Sequence, residues 1–370
     1  MIDCARMLDT FLQYVQIDSE TGNELAMGRR LAADLEAMGC EVTTDEVQEA
    51  AQTDGFNVYA TLFGDPGLEP ILFSSHMDTV VPGKGVKPVV CEDGYVRSDG
   101  TTVLGGDDKA GICAIMAAMR AAAEGPHRTV EAVFTVREES GMYGAKNLDY
   151  TRIRSKQCVV LDSGDGPDKI VVGAPGQNHI EARIIGRKAH AGLEPEKGVS
   201  AIQVGAHAVA TMNLLRIDEE TTCNIGTFHS EGPTNIVSET ARLAMEVRSR
   251  NTDKLNAQTD HMVGCLKAAC ERFGAELECT VSTSYLGYML GEDNSLVART
   301  FTAVRSLGLE PETVVSGGGS DANVYNEKGI AAVNLGVGME KVHTTAEQLC
   351  IRDMENAARV CLELMRPSTI

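Results

Sequence analysis

Basic residues are scarce in this sequence: 33 Lys and Arg stand against 53 Asp and Glu, a formal charge of -20 over 370 residues. That balance repels a nucleic-acid backbone and an anionic membrane surface alike, so neither is an expected partner. No uninterrupted apolar run is long enough to span a bilayer, and Met1-Ile2-Asp3-Cys4-Ala5-Arg6 lacks the basic then apolar pattern of a secretory leader. A cytoplasmic location is the expectation. Also missing are any C-x-x-C pair, internal repeat, low-complexity tract or G-x-x-x-x-G-K-[ST] phosphate loop. The 11 cysteines, scattered from Cys4 to Cys361, suit reduced core thiols better than a disulfide framework.

What is present is length and apolar content enough for two cores, with 43% hydrophobic residues. The periodicity changes near Gly176 and again near Gly291. Before Gly176, helical spacing (23–38, 110–123) alternates with short buried-strand runs (71–73, 130–136, 158–161), the pattern of an open α/β sheet. From about 178 to 289 the order is strand, helix, two strands, helix, strand, a ferredoxin-like split βαβ arrangement. After Gly291 the alternation resumes, with a helix to Leu307, strands at 313–315 and 331–335 and a last helix over 346–365. The expected fold class is α/β: an open mixed-sheet domain with helices on both faces, formed by 1–177 and 290–370, and an inserted ferredoxin-like α+β domain over 178–289.

In an open α/β sheet, functional residues gather beyond the carboxyl ends of the strands. Five polar clusters fit that position. Ser75-His76-Met77-Asp78-Thr79 follows a strand, and an imidazole ligand needs its second ring nitrogen fixed, which a carboxylate two residues on can do; alone, H-x-D is as well read as a surface turn. Gly105-Gly106-Asp107-Asp108-Lys109-Ala110-Gly111 precedes a helix, where an N-cap explains one Asp less strainedly than two. Glu138 and Glu139, in Arg137-Glu138-Glu139-Ser140-Gly141, repel unless something positive lies between them, or are merely solvated. Asp162 ends a strand and His343 precedes the last helix; singly each is a cap or a loop residue. Together they supply two imidazoles and several carboxylates at one sheet edge, a donor set that suits zinc, or more loosely cobalt or manganese.

These motifs resemble the M20 metallopeptidase family, and within it the peptidase T-like tripeptidases. The resemblance runs in order through His76-Met77-Asp78-Thr79, Gly106-Asp107-Asp108-Lys109-Ala110-Gly111, Glu138-Glu139, Asp162, Gly186-Arg187-Lys188-Ala189-His190-Ala191-Gly192, Gly318-Gly319-Ser320-Asp321 and His343-Thr344-Thr345. It implies two zinc ions, with His76 and Asp162 on one, Glu139 and His343 on the other and Asp107 bridging both. It further implies that Asp78 orients His76 and that Glu138 is the general base, passing a proton from the attacking water to the leaving amine.

In the small domain, His190 on its own reads as a hydrogen-bonded loop histidine. The resemblance instead implies that it reaches the site of the neighbouring subunit of a homodimer and helps to hold the tetrahedral intermediate. Asn235 and Arg248 match the family's substrate-contacting positions, and Arg suits a peptide carboxylate because its guanidinium binds it bidentately. Gly318 and Gly319 read as shaping the substrate pocket, or as a plain turn. The implied activity is exopeptidase cleavage of small peptides, by an aminopeptidase acting on tripeptides; in the family, Asp rather than Glu at position 162 accompanies aminopeptidase or dipeptidase activity. An N-acyl amino acid amidohydrolase or carboxypeptidase with the same metals is the alternative. A catalytically silent peptide-binding or metal-binding protein is a third class, disfavoured because neither Glu138 nor any ligand is missing.

Overall fold

The computed structural model describes residues 1–367. These divide into two compact units: Met1–Gly173 with Met289–Ser316 and the residues from Ser320 on, and Ala174–Tyr288 with Gly317–Gly319. Residues 368–370 of the expected 290–370 segment lie outside the described residues. The smaller unit begins at Ala174 rather than at 178, because strand Gly176–Ile185 is paired from its first residue, Gly176 opposite Ser249. The glycine turn 317–319, expected with 290–370, falls with the smaller unit.

The larger unit is built on a mixed sheet. Strands Ile71–His76 and Val130–Thr135 are buried at every position, which requires cover on both faces. They run parallel to each other, and Ile71–His76 also runs parallel to Gln157–Gly164, which in turn runs parallel to Ala331–Glu340. The order continues through Gln348–Cys350, Tyr95–Arg97 and Val89–Val90, all antiparallel, while Val58–Leu62 and Glu41–Thr44 close the opposite edge. Helix Gly106–Ala122 packs on Ile71–His76 and Gln157–Gly164, and helix Ile351–Met365 packs on it in turn. Its alanines, methionines and isoleucines are buried nearly all round, as befits a helix with no solvent side. Gly111 allows this closeness: a Cβ there would stand 2.2 Å from the Leu161 carbonyl oxygen of the strand beneath.

The smaller unit has the expected β-α-β-β-α-β order with one short strand added, Leu215–Arg216. Its antiparallel sheet runs Leu215–Arg216, Thr221–His229, Thr240–Ser249, Gly176–Ile185, Glu276–Tyr285. Burial alternates along Gly176–Ile185, so one face is covered, with Ile180, Ala182 and Ile184 meeting Val204, Met262 and Leu266 of the helices. Helix Thr252–Phe273 is delimited by local chemistry. The Asn251 side chain accepts from the N–H groups of Asp253 and Lys254, and Gly274 closes the other end at φ +70°.

Two elements depart from the periodicity reading. The last helix starts at Ile351 rather than at 346, because Gln348–Cys350 is drawn into the sheet between Tyr95–Arg97 and Met339–Glu340. The strand carrying Asp162 runs on to Gly164, so Asp162 lies within it rather than at its end.

Candidate metal centre

The parallel order of Val130–Thr135, Ile71–His76, Gln157–Gly164 and Ala331–Glu340 brings their carboxyl ends to one edge, and the site follows from that. His76 is the last residue of its strand, Glu138 and Glu139 lie in the turn after theirs, Asp162 is near the end of the third, and His343 stands in the loop beyond the fourth. Asp107 comes from the start of helix Gly106–Ala122, where its backbone and that of Asp108 are not yet helical.

Asp107 is set between the two imidazoles. Its Oδ1 lies 3.1 Å from His76 Nε2 and its Oδ2 3.2 Å from His343 Nε2. Asp162 Oδ1 flanks His76 Nε2 at 3.7 Å, and Glu139 Oε2 flanks His343 Nε2 at 3.0 Å. His76, Asp107 and Glu139 each offer a donor atom within 4.8 Å of the others, as do His76, Asp108 and Asp162. Asp108 is already engaged, however: its carboxylate accepts from Ser75 Oγ, from the His76 N–H and from the Gly111 N–H at 3.2 Å. His343 holds a left-handed backbone, φ +63°, uncommon for a residue with a side chain.

His76 Nδ1 lies 3.0 Å from the Asp78 main-chain carbonyl. A carbonyl only accepts, so Nδ1 carries a proton and Nε2 is the ring nitrogen that meets the two carboxylates. The expected orienting contact from the Asp78 side chain is therefore secondary, its Oδ1 standing 3.5 Å away. The Asp78 carboxylate serves the neighbouring turn instead, accepting from the N–H groups of Glu138 (2.9 Å) and Glu139 (3.3 Å) and from Thr21 Oγ1 (2.8 Å). Glu138 is buried, and no side-chain hydrogen bond engages its carboxylate among the described residues.

The charges of this cluster conflict. Among the described residues no Lys or Arg pairs with the carboxylates of Asp107, Glu138, Glu139 or Asp162; the imidazoles pair with Asp107, Glu139 and Asp162. Burial pushes the Asp162 carboxyl up to about 7, and burial together with Asp162 pushes Glu138 well above the usual range. Hydrogen bonds to Asp107 and Glu139 raise His343 to about 10. Burial alone would lower His76, but Asp107, Asp162 and Asp78 outweigh it and raise it. Glu139 Oε1 is buried without a hydrogen-bond partner. Carboxylates massed around imidazole nitrogens, with an unmatched buried oxygen, are the donor chemistry of a divalent-cation centre.

The remaining candidates lie in the smaller unit. His190 is exposed, and its Nδ1 accepts from the N–H groups of Gly192 (3.1 Å) and Leu193 (3.2 Å), leaving Nε2 outward. The segment carrying Asn235 pairs beside it, the Asn235 carbonyl accepting from the Ala191 N–H at 2.9 Å. Arg248 has a partner that was not expected: its Nε and Nη2 are held by Glu246, at 3.0 and 3.1 Å. Gly318 closes a bend with Gly317, and Gly319 leads from it to Ser320, which caps helix Asp321–Glu327.

Several supporting residues escaped the sequence reading. Glu24 accepts from the Arg137 N–H at 3.2 Å and so braces the Glu138-Glu139 turn. Lys109 is fully buried, its ammonium donating to the Ile17 carbonyl at 2.8 Å and drawn down to about 8 by burial. Asp321 accepts from Thr135 Oγ1 at 2.6 Å, and burial pushes its carboxyl up to about 6. Glu347 accepts from the backbone around Asp107.

With this geometry in hand, residues 72–366 match the family described as Peptidase family M20/M25/M40. The chain belongs to that family and is a metal-dependent peptidase. A Bacillus subtilis protein, YqjE, described as uncharacterized, is 41% identical over 367 residues, 99% of each chain. The fold is similar to that of a tripeptidase from Staphylococcus aureus subsp. aureus Mu50, with TM-score 0.96 and 40% identity over 99% of this chain and 98% of that one. It is also similar to the aminopeptidase PepT from Bacillus cereus ATCC 10987, with TM-score 0.92 and 40% identity over 98% of each chain.

Proposed function

We propose that the protein is a cytoplasmic two-metal aminopeptidase that removes the N-terminal residue from tripeptides, with zinc as its metal and cobalt or manganese as substitutes. The observation that carries this reading is the Asp107 carboxylate between His76 and His343, one oxygen toward each imidazole. In this reading His76 and Asp162 hold one cation, Glu139 and His343 the other, and Asp107 both. When bound, the cations supply Lewis acidity toward the scissile carbonyl and a water acidic enough to attack at neutral pH. Glu138, buried and with no hydrogen bond to its carboxylate among the described residues, would take a proton from the attacking water and hand it to the departing amine. Asp78 and Glu24 fix the turn from which Glu138 projects. The tripeptidase and the aminopeptidase of similar structure support the substrate class.

We assign Asn235, Gly318 and Gly319 to contacts with the peptide backbone, and Arg248, whose guanidinium also holds Glu246, to a substrate carboxylate. Incubating the enzyme with a free tripeptide and with its N-acetylated form tests the direction of trimming. Release of the N-terminal residue from the free peptide alone is expected, whereas cleavage of the acetylated form would favour an amidohydrolase or carboxypeptidase.

A homodimer is part of this reading, supported by Glu276–Tyr285, which lies at the edge of the smaller sheet, where a strand of a second copy could add. His190 would then serve the site of the second copy. His190→Ala and Glu138→Gln homodimers should each be nearly inactive, and mixed dimers should regain activity, since one of their two sites is complete. Verified mixed dimers as inactive as their parents would return His190 to a structural role.

A further inference from the structure

We infer that Glu347 is a positioning residue that locks the loop carrying His343 to the turn carrying Asp107, so that these two groups are presented to a cation as one body. The inference rests on the two-metal reading above and adds to it a residue that touches neither substrate nor metal.

Helix Gly106–Ala122 begins with an unusual deficit. Its N-cap is Gly105, at φ +74°, which has no side chain to accept from the first backbone N–H groups. Asp107 and Asp108 have non-helical backbones; Asp108 caps the regular helix that follows, accepting from the Gly111 N–H, and Asp107 faces the imidazoles, so the N–H groups of the turn 104–107 have no acceptor among these side chains. A helix start buried this deeply needs acceptors from elsewhere. Glu347 supplies them from the far end of the chain: Oε2 accepts from the N–H groups of Leu104 (2.7 Å) and Gly105 (3.0 Å), and Oε1 from that of Asp107 (3.0 Å). The glycines make room for it, since a Cβ at Gly106 would stand 3.1 Å from Glu347 Oε1.

The other end of the brace is as firmly set. The Glu347 N–H donates to the Thr344 carbonyl at 3.0 Å, Thr344 Oγ1 donates to the Lys341 carbonyl at 2.7 Å, and the Ala346 N–H donates to Thr344 Oγ1 at 3.2 Å. These bonds enclose His343 in its left-handed conformation. A shift of the turn 104–107 is therefore passed to His343, and the spacing of Asp107 from His343 is set by a carboxylate that contacts neither imidazole.

Only an acceptor on both oxygens can do this. Glutamine has nearly the same shape but turns an NH2 group toward backbone N–H donors on one side, breaking the brace without leaving a cavity. Zinc binding by metal-free wild-type and Glu347→Gln proteins, in competition with a chromogenic chelator, is the test, with circular dichroism and thermal melting of the metal-free forms run beside it. The variant is expected to stay folded yet hold zinc about 10–100-fold more weakly, the range seen when groups that orient metal ligands are removed, and to recover activity as free zinc is raised. Unchanged zinc affinity in a folded variant would overturn the inference. If the variant does not fold, hydrogen exchange in the wild type decides: zinc should slow the amides of Leu104, Gly105 and Asp107 in step with those of 343–347. Protection of one segment without the other overturns the linkage. A wild-type protein that binds fewer than two zinc ions is a different result, which removes the two-metal reading and this inference with it.

Discussion

Glu138→Gln protein is expected to keep both metals and to lose about 10²–10⁴-fold in kcat, the usual contribution of a positioned general base. Glutamine preserves the volume of a buried side chain and its turn, which Asp78 holds through the main chain, so the fold has no reason to change. What disappears is the ability to accept a proton. Burial and the nearby Asp162 already push the Glu138 carboxyl upward, which suits a group that must carry a proton between two steps. Steady-state rates with metal analysis of the same sample decide the matter. Near-normal turnover with full metal content would place the base elsewhere, and loss of metal would make Glu138 a ligand instead.

Asp107→Ala is expected to act earlier, on metal content itself. One carboxylate faces both imidazoles, so its removal withdraws a donor from each cation at once and leaves His76 and His343 without their shared partner. Zinc affinity should fall by more than the ~10–100-fold typical of groups that merely orient ligands, and activity should fall below detection at ordinary zinc levels. Wild-type enzyme stripped with a chelator should match this inactivity and recover with zinc, cobalt or manganese. Two tightly held metals in the alanine variant would contradict the bridging position.

The elements of the smaller unit were readable because their signals are local: period-two burial along Gly176–Ile185, Asn251 before a helix, Gly274 after it. The misread segment is the opposite case. Gln348–Cys350 becomes a strand through partners at Tyr95–Arg97, hundreds of residues earlier, and nothing within 346–350 distinguishes it from the first turn of the helix that follows. The same division runs through the site. His76, Asp107, Glu138, Glu139, Asp162 and His343 stand in motifs whose residue types point to metal chemistry, whereas Lys109 and Asp321 stand in motifs without a role of their own being legible, and Glu24 and Glu347 look like any solvated charge until the fold buries them. Glu246 did leave a signal: it lies two residues before Arg248 on one strand, hence on the same face, within reach of the guanidinium.

The strand order of the larger sheet has a consequence for how the enzyme comes into being. Synthesis runs from the N-terminus, and every strand of the smaller sheet lies between Gly176 and Tyr285, so that sheet has all its partners well before the chain is finished. The larger sheet does not. Gln157–Gly164 meets Ile71–His76 early but waits on its other side for Ala331–Glu340, and Tyr95–Arg97 and Val89–Val90 join only when Gln348–Cys350 arrives. The same late stretch brings His343 and the Glu347 brace. A chain still on the ribosome thus has an incomplete sheet and one imidazole of the cluster, and its capacity to cut peptides is the last property it acquires.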